Sequence, residues 1–212
     1  MAALDLQEQE QLDTLKAWWK DNGNSILSGV LIAVVVMAGW RGWQYYQNKQ
    51  TGEAAILYQQ FSEQLASNDA KRVNDAAAAV MDKFAATGYA PRAALLAAQV
   101  NEQGKDAAQA KKQLQWVVDH AGEAGLKDVA RLRLAAVLLD EKNYADAAKL
   151  LDAKHPASFD GLYADLKGDV LSAQGKAEEA RSAYKLAYGR TDANSMYRNL
   201  IQMKMDVLGA AQ

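Results

Sequence analysis

The longest apolar stretch of the chain lies near its start, between Asp21 and Arg41. None of the 19 residues 22–40 is charged, and a helix rising about 1.5 Å per residue crosses a ~30 Å hydrocarbon core in roughly 20 residues. Eight of these residues are Ile, Leu or Val, and together they favour membrane insertion by about 4 kcal/mol. The pattern predicts a transmembrane helix, which we assign to residues 25–46.

Aromatic residues surround the cation at the end of this stretch. Arg41 is preceded by Trp40 and followed by Trp43 and two tyrosines, an arrangement typical of a membrane interface. A cleaved signal peptide would instead have a basic start, a shorter apolar core and a small-x-small cleavage site. The segment that ends at Asp21 is acidic and contains only two lysines, so we predict a signal anchor that is retained.

The segment before the anchor, residues 1–24, has an amphipathic pattern. Leu12, Leu15 and Trp19 recur at helical spacing, with acidic residues on the other side. Asn22-Gly23 is a typical C-terminal cap, so we expect this short helix to end there. Two Lys or Arg residues lie close to each end of the apolar stretch, so the distribution of positive charge leaves the orientation in the membrane open.

Small residues recur every fourth position within the predicted anchor. Ser25, Gly29 and Ala33 would share one face of a helix, where another backbone could approach closely. We predict a helix-packing strip on this face. The alternative is that these residues only reflect the ordinary abundance of small residues in membrane helices.

Composition narrows the remaining possibilities for the 212-residue chain. It contains no cysteine, two prolines and two histidines, and its net charge is -2. Disulfides and thiolate chemistry are thereby excluded, and the balanced charge disfavours nucleic-acid binding. No phosphate-binding loop, dinucleotide fingerprint, zinc-protease helix or serine-hydrolase elbow occurs in the sequence. We therefore predict a protein-binding module that is not an enzyme and that uses no cofactor or metal.

An internal repeat organises residues 47–212. The interval from Ala135 to Gly168 equals that from Ala147 to Ala180, and its length is typical of stacked helical hairpins whose small residues permit close crossing. A third copy is placed through Ala98 and Gly104, with its extra length assigned to a turn at 121–128. Upstream, the apolar residues around Phe61 are expected to face those around Val80 in one further hairpin. The fold class predicted is all-α, one transmembrane helix followed by a tetratricopeptide-repeat-like right-handed α-solenoid.

Stacked hairpins of this kind leave a concave face built from the first helix of each pair. A groove there could hold an extended segment or a helix of a partner protein. The alternative is that its leucines belong to the core. The repeat pattern places the following residues on the face: Arg92, Leu95, Leu132, Ala136, Leu139, Asp165 and Asp169.

Four segments of the chain carry a resemblance: "AWWKDNGN", "GVLIAVVVMAGWRGWQYY", "LRLAAVLLDEKNYADAAKLLD" and "YADLKGDVLSAQGKAEEARSAYKLA". Together they resemble the YfgM family of ancillary SecYEG translocon subunits. The chain departs from consensus repeats by lacking proline at repeat ends, apart from Pro156. An alternative function is a membrane-anchored repeat scaffold that recruits a cell-envelope enzyme complex, such as one that acts on the cell wall.

The resemblance implies a location and a set of partners. It places the chain in the inner membrane, with residues 1–24 in the cytoplasm and residues 47–212 in the periplasm. The partners implied are the SecYEG translocon, a PpiD-like periplasmic chaperone, exported client proteins and the lipid of the inner membrane. The function implied is to help newly exported proteins pass to periplasmic chaperones.

Overall fold

The computed structural model describes residues 2–67 and 69–210, and over these residues the fold is all-α, as predicted. Residue 1 of the predicted first segment, and residues 68 and 211–212 of the predicted domain, lie outside the described residues. A short 3-10 helix, Ala157–Phe159, precedes the seventh α-helix. The described α-helices are α1 (Ala2–Leu65), α2 (Ala70–Phe84), α3 (Tyr89–Gln103), α4 (Ala107–His120), α5 (Ala124–Asp140), α6 (Tyr144–Leu151), α7 (Asp160–Ala173), α8 (Ala177–Arg190) and α9 (Met196–Ala210).

Helix α1 continues through Asn22-Gly23, so the helix end predicted there is wrong. Gly23 keeps a helical conformation and is covered by Trp19, whose indole nitrogen lies 3.1 Å from the point where a Cβ would be. The side chain of Asn22 donates a hydrogen bond to the carbonyl of Trp18 at 3.0 Å. A glycine ends a helix when it adopts the left-handed conformation; this glycine instead makes room for an aromatic ring.

The chain forms two compact units, one ending at Gln50 and the other beginning at Thr51. In the first unit the large apolar side chains between Leu27 and Tyr46 are exposed on the helix surface. Among the described residues, one helix is long and apolar enough to cross a membrane, and it is α1. Its exposed apolar surface fits a membrane anchor.

The second unit is a row of helical hairpins with small shared cores. Phe61, Val80 and Ala93 lie in one buried cluster, which confirms the predicted hairpin upstream of α3. The last cluster joins Tyr184 of α8 to Ile201 of α9. Each cluster draws on neighbouring hairpins, as expected where a single hairpin is too thin to bury its own apolar stripe.

The same turn closes three hairpins. Lys105, Lys142 and Gly175 have φ values of 60°, 61° and 77°, and the next residue in each case donates its N–H to the carbonyl five residues back, at 2.8–3.0 Å. This pairing and the left-handed residue define a Schellman motif. Gly104, through which the third copy was placed, is ordinary helical backbone with φ -76°. The turn position of that copy is therefore Lys105, while Ala98 keeps its place in the repeat.

The extra length that follows the third copy lies in helix α5 and not in a long turn. The connection between α4 and α5 contains only residues 121–123, so the predicted turn at 121–128 is too long. Helix α5 has 17 residues, whereas α7, the equivalent helix of the next hairpin, has 14. Helix α9 was not predicted, although Asp192, Asn194 and Ser195 before it are typical turn residues.

Candidate protein-binding surfaces

The predicted concave face divides into buried and accessible positions. Leu95 is buried in the cluster shared by α3, α4 and α5, as the core alternative required. Leu132 and Leu139 are half-buried against the next cluster, and Ala136 between them is also half-buried. Partner binding on this face stays a prediction. The buried side chain of Leu95 is not available to a partner.

Arg92 is exposed but already paired. Its guanidinium donates to the carbonyl of Gly88 at 2.6 Å and forms an ion pair with Glu123 at 2.9 Å. Glu123 lies in the turn before α5. The arginine therefore ties the start of α3 to that turn, and a partner would have to compete with Glu123 for it.

Asp165 and Asp169 of α7 are covered by α9 and do not line an open groove. The ammonium of Lys204 lies 2.8 Å from a carboxylate oxygen of each aspartate. The hydroxyl of Tyr197 donates to Asp165 at 2.5 Å, and that of Tyr184 donates to Asp169 at 2.7 Å. Asp165 is only 3% exposed, so these carboxylates fasten the last helix.

The pKa values of Tyr184, Tyr197 and Lys204 in this cluster are all raised. Burial, together with the hydrogen bond to Asp169, raises the pKa of Tyr184. Burial and the bond to Asp165 raise the pKa of Tyr197 in the same way. Burial alone would lower the pKa of Lys204, but its hydrogen bonds to Asp165 and Asp169 raise it above the usual value. The cluster is thus suited to hold helices together and not to exchange protons.

The small-residue strip of α1 is uncovered. Ser25, Gly29 and Ala33 are exposed. Apart from the adjacent backbone of α1, no described atom lies within 4 Å of the point where a Cβ would stand on Gly29. The face is open to another helix or to lipid, and its role in packing stays a prediction.

A groove of about 740 Å³ lies beside the second half of α4. Its apolar lining comes from Trp116 of α4, Leu134 and Leu138 of α5, and Leu150 of α6. The indole of Trp116 stacks on His120 with ring centroids 4.5 Å apart, and the Nδ1 of His120 lies 2.9 Å from the Trp116 carbonyl. This groove was not predicted from the sequence, although α4 contains a single tryptophan and α6 is short.

The outer face of α9 carries an apolar stripe. Its members recur at helical spacing and are largely exposed, from 44% for Leu200 to 86% for Met196. Met203 and Val207 complete the stripe. It lies on the last described helix of the array, where no later described helix covers it.

Known proteins match both the repeats and nearly all of this chain. The family model for the tetratricopeptide repeat-like domain matches residues 16–210. A Neisseria gonorrhoeae protein named ancillary SecYEG translocon subunit is 32% identical over 97% of this chain and 99% of its own length. Proteins of that name from Escherichia coli K12 and Haemophilus influenzae are 29% and 26% identical, over 95% and 97% of this chain and 96% and 100% of their own lengths. No solved structure matches.

Proposed function

We propose a function from the premise that this chain belongs to the family of ancillary SecYEG translocon subunits, which carry a tetratricopeptide repeat-like domain. The chain is a non-enzymatic, membrane-anchored subunit that binds the Sec translocon of the inner membrane. The observation that carries this proposal is the near-complete length of the match to the relatives of that name. Both the apolar helix and the repeats lie within the shared length.

The exposed apolar surface of α1 supports the membrane anchor. Side chains such as Leu31, Val35 and Trp40 are more than half exposed, and a row of this length would be costly in water. Lipid or the helices of a membrane partner would cover it. A membrane-level contact through Gly29 and Ala33 would place the repeats beside the translocation channel.

The finer part of the proposal concerns topology and handover. Residues before the anchor lie in the cytoplasm, and the repeat domain lies in the periplasm, where it binds a PpiD-like chaperone. There it helps exported proteins pass from the channel to periplasmic chaperones. Stacked hairpins support such a role because they present extended surfaces for protein ligands.

Co-purification tests the association. The full chain, extracted from membranes in a mild detergent, should retain SecY and a PpiD-like chaperone. Replacing Gly29 and Ala33 together with Leu should reduce recovery of SecY, since the strip can no longer approach a backbone. Replacing Val34 and Val35 with Leu adds bulk on another face and serves as the matched control.

Repeated recovery of neither protein from intact membranes would contradict the association. Dominant recovery of cell-wall enzymes would instead support the scaffold alternative. Equal recovery of SecY with both double variants would remove the strip from the proposal while leaving the association in place.

Topology can be read by labelling, because the chain has no cysteine of its own. Single variants Gln11→Cys and Ser67→Cys place one thiol on each side of the anchor at exposed positions. A membrane-impermeant maleimide should label Ser67→Cys in spheroplasts and Gln11→Cys only after lysis. The reverse pattern would contradict the proposed orientation.

A further inference from the structure

Helix α6 is shorter than the second helices of the neighbouring hairpins. Helices α4 and α8 have 14 residues each, whereas α6 has eight. The three helices start at equivalent positions of the repeat, directly after the residue that follows the left-handed turn. Helix α6 therefore lacks the last six residues, about one and a half turns. The chain leaves the helix at Asp152. Pro156, four residues later, has an extended backbone conformation.

The groove lies where α6 ends. Leu150, one residue before the end of α6, lines it, as do Gln115 and Trp116 in the second half of α4. Leu134 and Leu138 of α5 form its floor. The apolar lining of the groove is thus left uncovered where α6 ends.

Only some of the charged side chains at the rim of the groove form ion pairs within the chain. Lys111 pairs with Glu141 at 2.5 Å, and Lys149 pairs with Asp146 at 2.9 Å. Lys112 and Asp119 have no ion-pair partner among residues 2–67 and 69–210, although Asp119 accepts a hydrogen bond from Gln115 at 2.9 Å.

These two unpaired charges have a defined spacing. They are two helical turns apart on α4, about 10 Å along its axis, on the face that carries Trp116. A positive charge at Lys112 therefore lies on one side of the Trp116 ring along the helix, and a negative charge at Asp119 lies on the other.

We propose that this groove binds a short amphipathic helix of another protein, which takes the place of the missing turns of α6. Its apolar face packs on Trp116, Leu138 and Leu150, the kind of residues that anchor a helix in a groove. A carboxylate on the ligand helix faces Lys112, and a cation about two turns away faces Asp119. The proposal does not depend on association with the translocon, because it uses only the repeats.

The size of the groove favours a single helix over a second copy of this chain. Eleven residues line it, whereas a stable protein–protein interface uses roughly 20–30 residues on each side. A helical motif of about two turns fills such a site. The expected affinity is that of a transient peptide complex.

Selection from a library of displayed helical 14-residue peptides tests the proposal. The bait is the full chain in lipid nanodiscs, and unloaded nanodiscs remove lipid-binding peptides. Enriched sequences should carry an apolar stripe with an acidic residue at one end and a basic residue about seven positions away. The double variant Lys112→Glu/Asp119→Lys should bind these peptides at least tenfold more weakly and should enrich sequences with the two charges exchanged.

Neither substitution should disturb folding, because both side chains are exposed; an unchanged melting temperature checks this. Equal binding of the enriched peptides to both proteins would overturn the proposal, as would a selection that yields no helical sequence. Photocrosslinks from the apolar face of a selected peptide should map to Gln115 or Leu150. Crosslinks confined to α1 or to the outer face of α9 would also overturn it. So would light scattering that shows a dimer of the parent chain and a monomer of the double variant.

Discussion

Gly168 of α7 and Tyr184 of α8 are in direct contact because Gly168 has no side chain. A Cβ at position 168 would lie only 2.5 Å from Cδ1 of the tyrosine ring. In the preceding hairpin the equivalent positions, one repeat earlier, hold Ala135 and Leu151, which are also buried. Glycine is paired with the larger tyrosine in one hairpin, and alanine with the smaller leucine in the other. The two helix crossings therefore contain a similar total side-chain volume.

We expect Gly168→Ala to destabilise the repeats by about 1–3 kcal/mol, since the added methyl group overpacks the crossing. This outcome opposes helix propensity, by which alanine is favoured over glycine by about 1 kcal/mol. Gly189→Ala in α8 is the matched control, because no described atom beyond the adjacent helix backbone lies within 4 Å of its Cβ position. Urea unfolding of the full chain in detergent, followed by circular dichroism, measures both.

The double variant Gly168→Ala/Tyr184→Leu reproduces the pair found one hairpin earlier. It should relieve the overpacking but also lose the hydrogen bond that Tyr184 donates to Asp169, so we expect it to be more stable than the sum of the two single losses predicts. A single variant as stable as the parent would show that the tyrosine ring moves aside without cost and would refute this account of the crossing.

Lys142 has the left-handed conformation that glycine adopts at the same turn of the next hairpin. Because a residue with a Cβ is strained there by about 1–2 kcal/mol, Lys142→Gly should raise the free energy of unfolding by roughly 0.5–1 kcal/mol. Gly175→Ala should lower it by about 1 kcal/mol for the same reason. Lys176→Gly, at φ -89°, is the control and should not stabilise. Thermal unfolding distinguishes these outcomes.

Removing the cation between Asp165 and Asp169 should loosen α9. Lys204→Met leaves a buried carboxylate without its counter-ion, at a cost of about 2–4 kcal/mol. The exposed Lys185→Met in α8 should change the free energy of unfolding by less than about 0.5 kcal/mol. Hydrogen exchange should show faster exchange in α9 of the first variant only. Unchanged protection there would mean that the apolar contacts of Ile201 hold the helix without this ion pair.

Stability should decline in alkali as buried tyrosines ionise. Burial, with a hydrogen bond to Asp128, raises the pKa of Tyr163 from 10.0 to about 12. Because the folded state holds this proton more tightly than the unfolded chain, the stabilisation is complete below pH 10 and is lost between about pH 10 and 12. Tyr163→Phe should therefore show a shallower loss between about pH 10 and 12 in urea unfolding. An equal slope in both proteins would contradict the assignment.

The two faces of α9 should respond differently to truncation. Ile201 is fully buried against α8, whereas Leu200 beside it is 44% exposed. Ile201→Ala should cost about 3 kcal/mol through lost burial and a residual cavity. Leu200→Ala should cost less than about 1 kcal/mol. Similar losses for the two variants would show that the outer stripe is also covered in solution.

The elements of the fold could be predicted because their signals are local. The uncharged stretch of the anchor and the recurrence of small residues at Ala135 and Gly168 can be read along the chain. The thickness of a membrane sets the length of the uncharged stretch. Periodic burial of one helix face sets the recurrence of the small residues. Local signals failed at Gly23, where glycine accommodates Trp19, and at the third turn, where Lys105 takes a conformation usual for glycine.

The sequence by itself determined that the chain has an apolar anchor helix and stacked hairpins, since hydrophobic spacing and small crossing residues specify each helix and its neighbour. Only the tertiary structure decided which surfaces stay open. Asp165 fits the repeat pattern of a concave face, yet α9 arrives from a distant part of the sequence and covers it. The groove at Trp116 exists because α6 ends early. The exposure of a side chain depends on which distant helix packs over it, and the spacing of residues within its own helix does not contain that information.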